Sequence, residues 1–188
     1  MPILIRYVLI LSALVLAGCY GDEEAPADPG PATGQEPEKQ PDQESWESTI
    51  SISRDGNPVA VVWASYLAHY IDESKVYLRD SVHVDFYDRE GRHNSVLTSE
   101  AGVIDEKRNS LVATGNVVVV SDSGIVLRTE ELRWDNQNQK IVSDVAVLFT
   151  TADDTLVGDS FRSDPDLKNY EIRNARGVSR RALPLEPR

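Results

Sequence analysis

Residues 97–114 read LTSEAGVIDEKRNSLVAT, and residues 127–144 read LRTEELRWDNQNQKIVSD. The two stretches share one pattern, in which Glu100 corresponds to Glu130 and Leu111 to Ile141, each 30 residues apart. A weaker copy lies 35 residues before the first stretch, and a degenerate copy follows the second at a step of 29. A fixed period in this range indicates one supersecondary unit that is stacked on itself.

Within each unit the side chains follow the pattern of β-strands. Val82, Val84 and Phe86 alternate with polar residues, and residues 117–120 are all valine. No proline interrupts residues 59–164, so nothing there prevents long backbone ladders. Turn sequences separate these runs: Asp55-Gly56-Asn57, Asp88–Gly91, Ser121–Gly124 and Asp135–Gln139.

The segment VAVVWASYLAHY at residues 59–70 is ambiguous by itself, because it could also form an amphipathic helix. Its correspondence with the later copies favours a strand. Each unit then consists of strand, turn, strand and turn, and stacked units share one core. We therefore predict an all-β protein with an antiparallel, folded sheet of V-shaped units. Both ends of the stack are open, and open sheet edges pair with other sheets unless they are blocked.

The first eighteen residues are predicted to be a signal peptide rather than part of the fold. Arg6 is followed by a short apolar run, which ends in Leu16-Ala17-Gly18-Cys19. That run is too short to span a bilayer. Cys19 is the only cysteine, and its setting resembles the lipobox of bacterial lipoproteins. We expect Cys19 to carry acyl chains that anchor the protein to a membrane without spanning it.

Residues 19–58 are expected to form a disordered tether. Residues 20–58 hold six of the ten prolines and ten acidic residues against two basic ones, and their apolar side chains are few. Residues 59–178 are expected to form the folded domain, and residues 179–188 a C-terminal tail. Most of the net charge of −12 comes from the tether. A basic patch with interleaved aromatic residues is absent from the sequence, which argues against nucleic acid as a partner.

Catalytic and metal-binding motifs are not found in the sequence, so we predict no enzyme, no metal and no cofactor. The three histidines, His69, His83 and His93, have no ligand spacing and are expected at the surface. Asp153-Asp154 and Asp164-Pro165-Asp166 could bind calcium, but turn formation explains them better. The recurring acids Glu100, Glu130 and Asp159 occupy one position of the unit, which favours a structural role over a catalytic one.

A lipidated N-terminus, a tether and these β-repeats together resemble the LptC family of periplasmic components of the lipopolysaccharide exporter. The segments that carry the resemblance are FYDREG at 86–91, LTSEAG at 97–102, GNVVV at 115–119, LRTEELRWD at 127–135 and GDSFRSDPDL at 158–167. The GNV unit is shared with related carriers such as LptA. The order of the units and the closing segment 158–172 favour LptC.

The resemblance implies a β-jellyroll shaped like a twisted boat, whose interior holds the acyl chains of lipopolysaccharide. The lining residues are then expected to be Leu78, Val82, Val84, Phe86, Val117, Val119, Leu127, Val145 and Val147, although each could equally be plain core. The resemblance also implies docking of an LptB2FG-like ABC transporter at the N-terminal edge, near Val59, Val61 and Trp63. An LptA-like carrier would dock at the C-terminal edge, near Leu156, Gly158, Phe161 and Ile172.

Many LptC proteins are anchored by a transmembrane helix, whereas this chain is expected to use a lipid. A periplasmic location follows, with the outer leaflet of the inner membrane favoured and the outer membrane as the alternative. A second function also stays open, in which a dry, fully packed β-repeat lipoprotein scaffolds an envelope complex.

Overall fold

The computed structural model describes residues 39–180. The expected signal peptide, the lipidation site Cys19, most of the expected tether and the last eight residues of the tail lie outside the described residues. The strands are β1 (Gln43–Arg54), β2 (Asn57–Tyr70), β3 (Lys75–Tyr87), β4 (His93–Ser99), β5 (Ala101–Asp105), β6 (Ser110–Ser121), β7 (Val126–Asp135), β8 (Lys140–Ser143), β9 (Val147–Thr150), β10 (Asp154–Gly158), β11 (Ser160–Ser163), β12 (Tyr170–Arg173) and β13 (Arg176–Ser179).

All thirteen strands belong to one antiparallel sheet, which confirms the predicted all-β fold. The long strands pair with different neighbours along their two halves. Strand β3 pairs with β4 and β5, and β7 pairs with β8 and β9. The sheet therefore has two halves. The first leaf contains β4, β9, β10 and β13, the second leaf contains β5, β8, β11 and β12, and the long strands run through both. Strand β2 also confirms the strand prediction for residues 59–70.

A line of irregular backbone, here named the crease, separates the leaves. It contains Asp80 and Ser81 in β3, Glu100 between β4 and β5, and Gly115 and Asn116 in β6. The φ angles of Asp80, Ser81 and Gly115 are 58°, 86° and 77°. In β6 two residues stand opposite one residue of β7, which is a β-bulge that bends the strand. The positive φ of Gly115 favours glycine at this position, and a Cβ there would also lie 2.8 Å from Glu100 Oε2, so the Glu100 side chain would have to shift.

The sheet folds along the crease so that the inner faces of the two leaves pack together. Phe86 of the first leaf meets Trp134 of the second edge to face, with ring centroids 5.2 Å apart. Phe149 and Tyr170 make the corresponding contact further along, at 4.3 Å. A sheet with one apolar face must cover that face, and here each leaf covers the other. Because the leaves pack together, the repeating units share one core, as the sequence predicts.

The side opposite the crease is named the mouth, because the turns of the two leaves lie along it. Three turn carboxylates there have lowered pKa values. Hydrogen bonds from Arg92 lower the pKa of Asp88, and those from Asn138 lower the pKa of Asp135. Burial by itself raises the pKa of Asp164, but hydrogen bonds from Lys140 and Asn169 outweigh it and lower the pKa overall.

The folded domain begins earlier than the expected boundary at residue 59. Strand β1 pairs with β2 from Gln43 opposite His69 to Arg54 opposite Asn57, so residues 43–54 are not part of a tether. The composition of this segment is misleading because β1 is an edge strand, which needs few apolar side chains. Ile50 and Ile52 are partly buried against the core, and the remaining residues of β1 are mostly polar.

We predict that Phe86→Ala destabilises the domain by about 3–5 kcal/mol, because it removes the largest first-leaf side chain that spans the two leaves near the mouth. Urea denaturation followed by circular dichroism measures this change. Thr98→Ala, at an exposed outer position of β4, is the control and should change the free energy of unfolding by less than about 0.5 kcal/mol. An equal loss in the two variants would contradict the two-leaf core.

We also predict that stability falls in acid because of the turn carboxylates. Their pKa values lie lower in the folded chain than the usual ~3.9 of an unfolded Asp, so their contribution is present above that value. It is lost as the pH falls through the lowered folded values. Urea midpoints between about pH 5 and pH 2.5 measure the effect. Asp135→Asn should flatten the decline, and an unchanged slope in that variant would argue against the assignment.

Candidate functional site

A row of apolar side chains crosses the inner face of the first leaf without interruption. Each residue is the direct cross-strand neighbour of the next, so that the row runs from the edge strand β1 to β10. We name it the inner track, and its members in order are Ile50, Val62, Val84, Leu97, Val119, Leu127, Phe149 and Leu156. Gly177 of β13 continues the row to the other end of the sheet.

Three members of the inner track were expected as lining residues: Val84, Val119 and Leu127. Val82, Val117 and Val147 lie on the same inner face next to the crease, Phe86 lies near the mouth, and Leu78 lies on the facing second leaf. All eight of these side chains are at most 2 % exposed. Val145 differs, because it lies in the irregular segment between β8 and β9 and is 39 % exposed. It is not an inner residue.

The remaining members of the inner track were missed as lining residues, although the sequence held a signal for most of them. Val62, Leu97, Leu127 and Leu156 occupy one position of the repeating unit, at steps of 35, 30 and 29 residues. Equivalent positions in a stacked repeat come together in space. This one position of the repeating unit therefore accounts for four of the eight residues of the inner track.

Side chains fill the space between the leaves, so the interior is closed in this structure. The middle of the inner track, from Val62 to Phe149, is buried. Its two terminal residues, Ile50 and Leu156, are only partly buried and pack against the core from its ends. An apolar path therefore leads through the domain, but a long hydrocarbon chain could occupy it only if the leaves separate.

Two connections hold the mouth shut. The first joins the end of β1 to the β7–β8 turn, where the guanidinium of Arg54 donates to the Asn136 main-chain carbonyl and to Asn136 Oδ1. Asn136 is itself buried and donates from Nδ2 to Asn109 Oδ1 at 2.8 Å. Gln139 donates to both oxygens of Asn136. A charged group that bonds a buried amide in this way forms a stronger connection than two neutral groups would.

The second connection is the β11–β12 loop, residues 164–169. Its base is fixed to the second leaf by an ion pair between Lys140 Nζ and Asp164 Oδ1, at 2.5 Å. From there the loop reaches the first leaf, where Ser95 Oγ donates to the Pro165 carbonyl at 2.7 Å in a buried contact. Leu167 is fully buried in the core, at a φ of 62° that a leucine rarely adopts. The loop thus inserts a side chain at the mouth.

Two polar atoms of the second leaf are buried without a hydrogen-bond partner: Trp134 Nε1 and Ser163 Oγ. Both residues face inward and are 1 % exposed. They are the last inward-facing residues of β7 and β11 before the mouth turns. An unsatisfied buried donor costs about 1–3 kcal/mol, so native proteins contain few of them.

The expected edge residues lie mostly inside the sheet. Val59, Val61 and Trp63 are in β2, which β1 covers, so the N-terminal edge is β1. At the other end, strands β12 and β13 each have one neighbour and form the C-terminal edge. Ile172 is in β12 and lies at this edge. Leu156 and Gly158 are in β10 and Phe161 is in β11, each between two neighbouring strands.

The two edges differ in charge. Strand β1 and the residue before it carry three acidic residues, Asp42, Glu44 and Glu47, against the single basic Arg54. The C-terminal edge strands β12 and β13 carry Arg173 and Arg176 against the single acidic Glu171. Each edge also exposes a large apolar side chain. These are Trp46 in β1 and Val178 in β13, at 66 % and 70 % exposure.

The histidines and recurring acids singled out in the sequence lie away from the inner track. His83 and His93 are on the outer face of the first leaf, each with Nε2 3.3 Å from Asp85 Oδ1. Glu100 lies in the crease, Glu130 lies opposite the β6 bulge, and Asp159 lies between β10 and β11; all three are exposed. Between residues 39 and 180, no group of three or more His, Cys, Asp or Glu side chains is arranged to hold a metal ion. That range also contains no helix that could cross a bilayer.

Comparison with protein families gives one result that covers most of the chain. A family model described as "Lipopolysaccharide-assembly, LptC-related" matches residues 8–177 of the 188 residues. No curated protein matches the chain significantly. Members of the matched family act in lipopolysaccharide transport at the periplasmic side of the envelope, as transport components. The repeated β-units, the folded sheet and this match agree, and the chain belongs to the LptC-related family of lipopolysaccharide-assembly proteins.

Proposed function

We propose that this protein receives lipopolysaccharide from the inner-membrane ABC exporter and passes it to an LptA-like carrier. The observation that carries the proposal is the inner track, which runs from the free edge strand β1 to β10, the neighbour of the edge strand β13. Acyl chains that move along it would stay out of water over the whole length of the domain. Family membership supports the general role in transport, and the track supplies a physical path for it.

The two edges are suited to partners that add a strand. Edge strands present unpaired main-chain N–H and C=O groups, and a docked strand continues the ladder. We propose that the transporter docks at β1 and the carrier at β12 and β13. The acidic β1 edge favours a neutral or basic strand, and the basic C-terminal edge favours an acidic one.

The predicted lipid anchor at Cys19 fits this arrangement. Between Cys19 and the start of β1 lie 23 residues, which reach at most about 80 Å when fully extended. A domain on such a tether can meet a transporter in the same membrane and still extend into the periplasm. We therefore propose anchoring in the outer leaflet of the inner membrane.

A scaffold for an envelope complex is the second candidate, and the filled interior favours it. If the leaves never separate, the inner track is only a core, and the edges serve assembly alone. The two functions therefore differ in one measurable property, which is contact between the track and lipid.

We predict that a photo-crosslinking amino acid at Ile50 or Leu156 forms an adduct with lipopolysaccharide in cells with an active exporter. These partly buried ends of the track tolerate a bulky probe better than its middle. Val84 and Val119 are the matching central positions. His83, which faces outward from the same strand as Val84, is the control. Energy-dependent adducts at the track and none at His83 support transport. If the protein is folded and anchored but forms no adducts at the track, the transport function is contradicted and the scaffold function is favoured.

We predict that Gly177→Ala prevents binding of the LptA-like carrier. A Cβ at this position would collide with the Thr155 main-chain carbonyl, so β13 would be pushed away from β10 and the C-terminal edge would be lost. Binding of purified carrier to the immobilised chain measures the effect. Gly124→Asn is the control, because it places a side chain in open space at a turn. Normal carrier binding by Gly177→Ala would exclude β13 as the docking strand.

A further inference from the structure

The two unpartnered atoms, Trp134 Nε1 and Ser163 Oγ, lie on one cross-strand row of the second leaf. Trp134 is opposite Ile141, and Ile141 is opposite Ser163. Two strand spacings of about 4.8 Å put their main chains about 10 Å apart. Each leaves a separate hydrogen bond unmade.

The other buried hydroxyls between residues 39 and 180 have hydrogen-bond partners, which makes the unpaired hydroxyl of Ser163 exceptional. Ser95 Oγ donates to the Pro165 carbonyl at 2.7 Å, and Thr129 Oγ1 and Ser143 Oγ are 3.0 Å apart. The fold thus provides hydrogen-bond partners for buried hydroxyls whose role is structural. A donor that is kept unpaired directly inside the mouth points to a partner that arrives from outside when the leaves separate.

The chemistry of that partner follows from the two donors and their surroundings. An indole N–H can only donate, so its partner must be an acceptor. The neighbouring inner residues are Phe86, Ile141 and Leu111, and an apolar site of this kind strongly disfavours a phosphate or carboxylate. A neutral oxygen attached to hydrocarbon fits best, and that description matches an acyl carbonyl or a hydroxyl on an acyl chain.

We propose that Trp134 Nε1 and Ser163 Oγ bind neutral acceptor oxygens near the head of the lipid's acyl chains. The inference rests on the proposed function and deepens it, because it assigns polar contact points within a path that is otherwise apolar. Both donors lie directly inside the mouth, next to the Asn136 turn and the 164–169 loop. The hydrocarbon of a chain held there continues toward the inner track, and its sugar end lies toward solvent. The 164–169 loop with Leu167 must move for the lipid to enter.

The test uses the full chain in lipid nanodiscs and purified lipopolysaccharide as the probe. Ser163→Ala removes an unpartnered hydroxyl, so its free energy of unfolding should equal or exceed that of the wild type. Its Kd for lipopolysaccharide should nevertheless rise about fivefold, the usual effect of one lost hydrogen bond. Trp134→Phe should weaken binding to a similar extent while it keeps an aromatic ring at the position. Ser143→Ala is the control, since that hydroxyl is already paired within the fold.

Nuclear magnetic resonance of the indole groups gives a readout that a packing role would not change. The Trp134 indole proton should move downfield and exchange more slowly when lipopolysaccharide is added, while those of Trp46 and Trp63 stay in place. If the wild type binds lipopolysaccharide, the two variants bind it equally well and the Trp134 signal is unmoved, then the contact points are refuted and the transport function stands. If the wild type binds no lipopolysaccharide, both proposals fail.

Discussion

The structure depends on one constraint: a sheet with an apolar face has to cover that face, and this chain contains no helix between residues 39 and 180 to do so. The sheet therefore covers itself. Folding requires every long strand to bend at one line without losing its ladder, and this accounts for the left-handed backbone at Asp80 and Ser81 and for the bulge at Gly115 and Asn116. The core, the two free edges and the mouth all follow from this bend.

The repeat made the strand content and the position of the bend predictable. Glu100 and Glu130 recur because each marks the crease in its own unit, and Leu97 and Leu127 recur because each faces inward on the first leaf. Local periodicity is enough for such features, because they depend on each strand and its immediate neighbours. The closing segment is more degenerate, and Val145 there left the inner face because it lies between two short strands rather than within one.

Features that depend on distant parts of the chain could not be predicted in the same way. The sequence of β1 resembles that of the tether, since an edge strand with one half-buried face needs little more than Ile50 and Ile52. Its inclusion moved the N-terminal edge one strand outward from Val61 and Trp63. The pairing of Arg54 with Asn136 and the unpaired state of Trp134 Nε1 depend on how the two leaves pack against each other. Local sequence patterns do not determine this packing, because the residues involved are far apart in the chain.

The connections across the mouth also have a consequence for the order in which the domain folds. Most strand pairs join segments that are near neighbours in sequence, so their formation closes only short loops. The Arg54–Asn136 and Ser95–Pro165 bonds, in contrast, join residues 82 and 70 positions apart. Closing such long loops is entropically more costly than closing a hairpin. The hairpins are therefore expected to form before the two leaves close over the core.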